Sequence, residues 1–330
     1  MWGSFGKSLS KTLASRWTSW CIMATTFIVA LVFVKEPEGR YIPATGGLVF
    51  DNLQWGRVSP IAAIFFNTAV YLVVALIFQH INHRYKIVKS TSWYFFGLFF
   101  LILTAFPELY QQVNQATITA LVLSFCILLM FTTYSEPLKT STTFLIFFLL
   151  SCASTVLTSI TFYIPVFFAG LWYMKTLTVR SILAAILGLV TPYWIIWGFE
   201  WAPPFRFNVP IVHYDYFEFI SNAQIAFIVT SGVLCLSAII FLIGSIIRSM
   251  AYNTLRRACN GFISLAAIVT VILIAADATN LTAYIPFMAI LTAFMANHYL
   301  YAKGQCDKPV QLLSLPVLFT GLIIWNFLSY

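Results

Sequence analysis

Carboxylates and guanidiniums gather in a few short stretches of this sequence, and together they could move a group off a phosphate. Glu36 and Glu38 flank Pro37, Asp51 follows in the same stretch, and Glu108 comes directly after Phe106-Pro107. A carboxylate in such a place can take a proton from an acceptor hydroxyl or hold a metal ion. Arg40, Arg57 and Arg206 are the candidate partners of a departing phosphate, through charge-assisted hydrogen bonds. His213, near Asp215 and Glu218, and Asp277, within Ala275-Ala276-Asp277-Ala278, are further candidates for contact with a substrate. Asp277 could pair with Arg206 or line a pathway. The competing reading is that all of these are solvated loop charges and interfacial anchors, and that Glu108 is an acid solvated at a helix end. His-x-Asp alone does not define a metal site, and there is no P-loop or dinucleotide fingerprint, so no metal or cofactor is assigned.

The elements that must position these residues are membrane helices. Of 330 residues, 61% are hydrophobic and 8% charged, a balance that leaves too little charge to solvate a water-soluble surface. In lipid every backbone N–H and C=O must be paired internally, and long unbroken apolar runs point to helices rather than to a barrel. The expected fold is therefore all-α, a polytopic helical bundle forming a single integral membrane domain over residues 1–330. Apolar windows fall near 17–34, 59–81, 91–106, 119–134, 142–157, 161–174, 181–199, 222–247, 261–278, 284–302 and 310–330, which makes eleven. The first follows Lys7, Lys11 and Arg16 without a convincing cleavage site, and reads as a retained signal anchor.

Charge sets the expected orientation. Reading 142–174 as a tight hairpin broken near Pro165 leaves Lys35, Arg40, Arg57 and Arg206 outside, and the other basic residues inside. A single tilted helix there would instead place Arg248, Arg256 and Arg257 outside. The N-terminus is thus expected inside and the C-terminus outside, with long outer loops at 35–58 and 200–221 and a short outer segment at 107–118. Most acids map to that outer side. The six cysteines are dispersed and suggest neither a disulfide framework nor a metal knot. The net charge of +8 sits in short loops and accompanies no RNA- or DNA-binding motif, so nucleic acid is not an expected partner.

Several short motifs resemble an uncharacterised polytopic integral membrane family of Bacteroidetes over about residues 67–200. They are Asn82-His83-Arg84, Thr104-Ala105-Phe106-Pro107-Glu108, Phe162-Tyr163-Ile164-Pro165, Arg180, and Gly188-Leu189-Val190-Thr191-Pro192-Tyr193. The resemblance implies a bacterial inner-membrane protein and brings no activity with it. A more distant resemblance, in architecture, is to the multispan polyprenyl-phosphate-dependent glycosyltransferases, which also carry outer loops after the first and seventh spans. It implies a glycosyltransferase-like enzyme that takes a polyprenyl-phosphate donor at the outer leaflet. The chain departs from that class at the first span, where Glu36 and Glu38 around Pro37 stand in place of a clear acidic pair.

Two other functions compete with this one. The first is a transporter or flippase, in which His298, beside Asn297, would act as a relay. The second is a non-catalytic membrane subunit bound to protein partners in the envelope. All three place the chain among membrane lipids.

Overall fold

The computed structural model describes residues 2–32, 48–49, 58–88, 93–111, 113–136, 138–201, 222–277, 281–301 and 309–329. Every regular element among them is helical. In chain order these are α1 (Trp2–Leu13), α2 (Arg16–Val32), α3 (Pro60–Tyr85), α4 (Tyr94–Thr104), α5 (Glu108–Gln111), α6 (Gln115–Thr132) and α7 (Thr140–Ser154). They continue with α8 (Thr158–Thr161), α9 (Ile164–Tyr173), α10 (Val179–Gly198), α11 (Asn222–Ser249), α12 (Thr254–Ala276), α13 (Leu281–Tyr301) and α14 (Pro309–Ser329). Each apolar window of the sequence contains a helix. Seven helices, namely α3, α6 and α10 to α14, are long and apolar enough to cross a membrane. α2, α4, α7 and the α8–α9 pair are shorter apolar helices.

The segments run alternately up and down between two ends of one bundle. At the first end Asn67 of α3 meets Leu109 and Thr117, Thr119 of α6 meets Ser159, and Tyr163 meets Thr270 of α12. At the second end Tyr85 packs edge-on against Phe131, Tyr94 bonds to Leu312 O, and Tyr301 bonds to Ser10 O. The stretch 142–174 is a hairpin, as its charge pattern suggests: Phe147 of α7 packs on Phe168 of α9 at 4.5 Å, and Ser135 N donates to Met174 O. Pro165 lies in the first turn of α9, where its missing N–H costs nothing, so the chain breaks just before it, between α8 and α9.

α13 is the axis. Almost every residue from Tyr284 to Tyr301 is buried, so this helix faces protein on all sides, whereas its neighbours turn one face to lipid. Phe294 sits between Phe78 and Phe95, and Phe287 meets Tyr163, each pair at 5.4–5.7 Å in edge-on geometry. α10 is the opposite case. Leu183, Leu187, Val190 and Trp194 form one exposed apolar stripe, while Ser181, Ala185, Gly188, Pro192 and Ile196 turn towards α7.

α7 and α10 approach closely because Gly188 has no side chain. A Cβ there would lie 2.5 Å from the Phe144 carbonyl and 3.0 Å from the Phe148 nitrogen, both backbone atoms that cannot swing aside. Ser151 Oγ donates to Leu189 O at 2.6 Å, and Ser154 Oγ pairs with Tyr193 OH at 2.9 Å, completing the seam. Gly188→Val should therefore lower the melting temperature of the detergent-solubilised protein, through overpacking of about 1–3 kcal/mol. Gly232→Ala, in open space on α11, should leave it unchanged or raise it, since Ala stabilises a helix interior by roughly 0.5–1 kcal/mol over Gly. Thermal melts of the two variants side by side check both signs.

Candidate functional site

At the first end of the bundle one turn, from α4 through α5 to α6, is recessed relative to the start of α3. α3 begins at Ser59, whose hydroxyl accepts from Ala62 N, with Pro60 pre-set for the first turn. α5 reaches α3 seven residues further on, at Asn67, so the α4–α5–α6 turn lies about 10 Å below the start of α3 at 1.5 Å per residue. Ile61, Phe65 and Phe66 of α3 lie above that level and are exposed apolar side chains. Lipid therefore extends past the height of α5, and the turn carrying Glu108 is sunk below it.

What permits a turn at that depth is side-chain hydrogen bonding. Asn67, fully buried, donates through Nδ2 to the carbonyls of Leu109 and Tyr110, both at 3.1 Å. Its Oδ1 accepts from Thr117 Oγ1 at 2.9 Å. Tyr71 OH lies between Leu109 O (3.3 Å) and Thr117 Oγ1 (3.1 Å). Asn326, from α14, donates to Ala105 O at 2.6 Å and to Thr230 Oγ1 at 3.1 Å. Asn114 caps α6, its Oδ1 accepting from Thr117 N. Glu108 is the first residue of α5, half-buried, on backbone that these bonds hold in place.

Asp277 occupies the same end. It ends α12, its N–H bonded to Leu273 O, and only 1% of its surface is exposed. Tyr284 OH donates to its Oδ2 at 3.0 Å. Tyr284 packs on Tyr163, whose hydroxyl pairs with Thr270 Oγ1 at 2.9 Å. The first end also receives part of the first loop, where Leu48 N donates to Ser154 O and Val49 N to Thr155 O.

Of the residues singled out from sequence, Glu36, Glu38, Arg40, Asp51, Arg57, Arg206 and His213 lie outside the described residues. Glu108 and Asp277 are described, and both lie at the first end. Sequence reasoning passed over Asn67, Tyr71, Thr117, Tyr163, Thr270, Tyr284 and Asn326. The available signal was polar side chains inside apolar windows, which are costly in lipid unless they bond to another helix.

The second end carries a different set. His298 Nδ1 pairs with Ser245 Oγ at 2.9 Å, and Ser245 Oγ donates to Asn260 Oδ1 at 3.0 Å. The Ser245 proton being committed to Asn260, Nδ1 of His298 is the donor and Nε2 keeps its lone pair. Nε2 is buried and has no hydrogen-bond partner among the described residues, and the Tyr252 ring packs edge-on against the imidazole at 5.4 Å. Asn297 points elsewhere, since adjacent helical residues diverge by about 100°. Its amide nitrogen and oxygen are also buried and unpartnered. The described basic residues Lys11, Arg16, Arg84, Lys86, Lys139, Lys175, Arg180, Arg248, Arg256 and Arg257 all belong to this end, and of the described acids only Glu136 does, paired with Lys139.

The long apolar helices, the lipid-facing stripes and the axial helix together define a multi-pass α-helical membrane protein. No protein-family model, no curated protein and no solved structure matches the chain. The recess turn is where a substitution should show most clearly. Asn67→Leu would leave the Tyr110 carbonyl without its side-chain bond and the Leu109 carbonyl with Tyr71 alone, in a water-poor interior, at about 1–3 kcal/mol for an orphaned group. The expected result is a lower melting temperature together with protease or hydrogen-exchange sensitivity that begins at 105–115, rather than spread evenly over the bundle.

Proposed function

We propose that the chain crosses a bacterial cytoplasmic membrane eleven times, with its basic end inside, and that the recess at the other end works on an amphiphilic substrate of the outer leaflet. The four shorter helices supply the crossings beyond the seven long ones, and the bundle tolerates their length because they are flanked by protein rather than by lipid alone. The concentration of Lys and Arg at the second end supports the orientation.

The observation that carries the functional reading is Glu108 on a turn sunk about 10 Å below the start of α3, where a membrane-partitioned substrate can reach a carboxylate. The chemistry that suits such a group is acceptance of a proton from a nucleophilic hydroxyl. Group transfer from a polyprenyl-phosphate-linked donor, in the manner of lipid-dependent glycosyltransferases, would pair that base with the guanidiniums of the outer loops. Glu36, Glu38 and Asp51 remain alternative bases on this reading. Arg40, Arg57, Arg206 and His213 would meet the phosphate, and Asp277 would shape the floor of the site.

Mass spectrometry of lipid-linked molecules co-purifying with the protein tests this directly. A polyprenyl-phosphate species retained by the native chain and by Glu108→Gln, and depleted at least ten-fold in Arg206→Ala at an unchanged melting temperature, is the expected result. Bulk phospholipid alone, equal in all three proteins, would overturn the enzyme reading and favour a membrane subunit.

Transport is the second reading, and the buried Ser245–Asn260–His298 chain favours it, because an imidazole with a free lone pair can relay a proton. In proteoliposomes loaded with a pH-sensitive dye, proton flux that is present in the native protein and lost in His298→Ala would support transport. Equal flux in the two would remove it.

A further inference from the structure

Between α11 and α12 an apolar groove of about 120 Å³ opens sideways from the bundle, with Ala238 and Leu242 on one wall, Ala267, Ile268 and Ile272 on the other, and Met288 of α13 as its floor. No polar surface lines it. Its depth can be read along α12. Arg257, Ser264, Ile268 and Val271 are spaced by seven, four and three residues, so they lie on one stripe of that helix. At 1.5 Å per residue, the groove runs from about 15 to about 22 Å above Arg257. One leaflet of hydrocarbon is about 15 Å thick, so a lipid whose phosphate rests on Arg257 would have the far half of an acyl chain at the level of the groove.

The head of this stripe has the complementary charge. Arg257 is exposed and Arg256 half-buried, and neither guanidinium has an ion-pair partner among the described residues. The third arginine nearby is already engaged: Arg248 stacks on the Tyr299 ring at 3.9 Å and donates to the Tyr299 carbonyl. Two guanidiniums without an ion pair among the described residues, and a dry groove farther along the same helix, match the headgroup and the far part of a phospholipid chain. Two cations attract the net charge of an anionic headgroup, whereas a zwitterionic headgroup brings its own cation beside the phosphate and offsets that attraction.

We propose that the α11–α12 seam is a binding site for a net-anionic phospholipid of the leaflet at the arginine-rich end, with its phosphate on Arg257 and Arg256 and one acyl chain in the groove. The site lies at the opposite end of the bundle from the recess and does not depend on what the recess does.

Native mass spectrometry of the delipidated full-length protein, titrated with dioleoyl phosphatidylglycerol or dioleoyl phosphatidylcholine, tests the assignment. The first phosphatidylglycerol should bind roughly twenty- to thirty-fold more tightly than phosphatidylcholine, since each surface guanidinium contributes on the order of five-fold. The Arg256→Gln/Arg257→Gln double variant should lose that preference. Arg180→Gln, which removes a charge at the same end but away from the seam, should keep it. Ala267→Phe fills the groove and should weaken binding of phosphatidylglycerol. Should that variant fail to fold, Ala238→Leu makes the same test with a smaller side chain. Equal binding of the two lipids to the native chain, or a preference that survives the double variant, would overturn the proposal. So would a preference that is lost in the charge variant but untouched by filling the groove, because the lipid would then be held by charge alone. Selective displacement of phosphatidylglycerol by an equal concentration of a polyprenyl phosphate would overturn the choice of phospholipid.

Discussion

A backbone carbonyl freed inside a bilayer has no water to turn to, and this constraint organises the whole bundle. The chain interrupts its helices at several points, and at three of them an asparagine side chain supplies a bond. Asn67 takes the Leu109 and Tyr110 carbonyls, and Asn326 takes that of Ala105. Asn82 accepts from Val88 N where α3 ends, beside Lys86 in the left-handed conformation with φ of 48°. Three asparagines thus allow turns where lipid alone would permit only continuous helix. The first two hold the turn that carries Glu108 below the start of α3.

The same economy of polar groups separates the two ends. Along α13 the middle turns are aromatic or aliphatic and dry, with Phe287, Met288, Leu291 and Phe294 all buried. Apart from Thr292, whose hydroxyl is tied back to Met288 O, polar side chains recur towards the termini of this helix, with Tyr284 on Asp277 at one end and His298 on Ser245 at the other. The carboxylates of one end and the imidazole of the other therefore stand apart across a dry core. This arrangement suits two independent sites better than a continuous polar path, and it gives the outer-leaflet reading more support than the transport reading.

Much of this architecture is legible in the sequence, because a span announces itself by length and apolarity alone. The hairpin at 142–174 is legible too, from the loop charges on either side of it rather than from its own residues. Hidden from sequence are the contacts between residues far apart in the chain: Asn67 with Leu109, Asn326 with Ala105, Ser245 with His298. Each looks in isolation like a stray polar residue in an apolar window. α1 is hidden for another reason. It is too short and too mixed in composition to register as a span, yet Leu9 and Leu13 pack on the core and Ala14 O accepts from Trp93 N. Several residues of the short motifs quoted from the sequence have structural roles: Asn82 at a helix end, Tyr163 on Thr270, Gly188 at a close helix contact and Tyr193 on Ser154. The loop charges that suggested chemistry lie outside the described residues, so Glu108 and Asp277 are the candidates that can be set against geometry.

The claim beneath all of this is that the two ends of the bundle lie on opposite faces of one membrane, with the short helices crossing as well as the long ones. Single cysteines introduced into a cysteine-free chain and labelled on intact cells with a membrane-impermeant maleimide test it most directly. Val156→Cys, at the turn between α7 and α8, and Trp201→Cys, just after α10, should label from outside. Leu138→Cys, exposed ahead of α7, should label only after permeabilisation. If Val156→Cys and Leu138→Cys label from the same side, α7 does not cross, and both the eleven-span arrangement and the outward-facing recess are wrong.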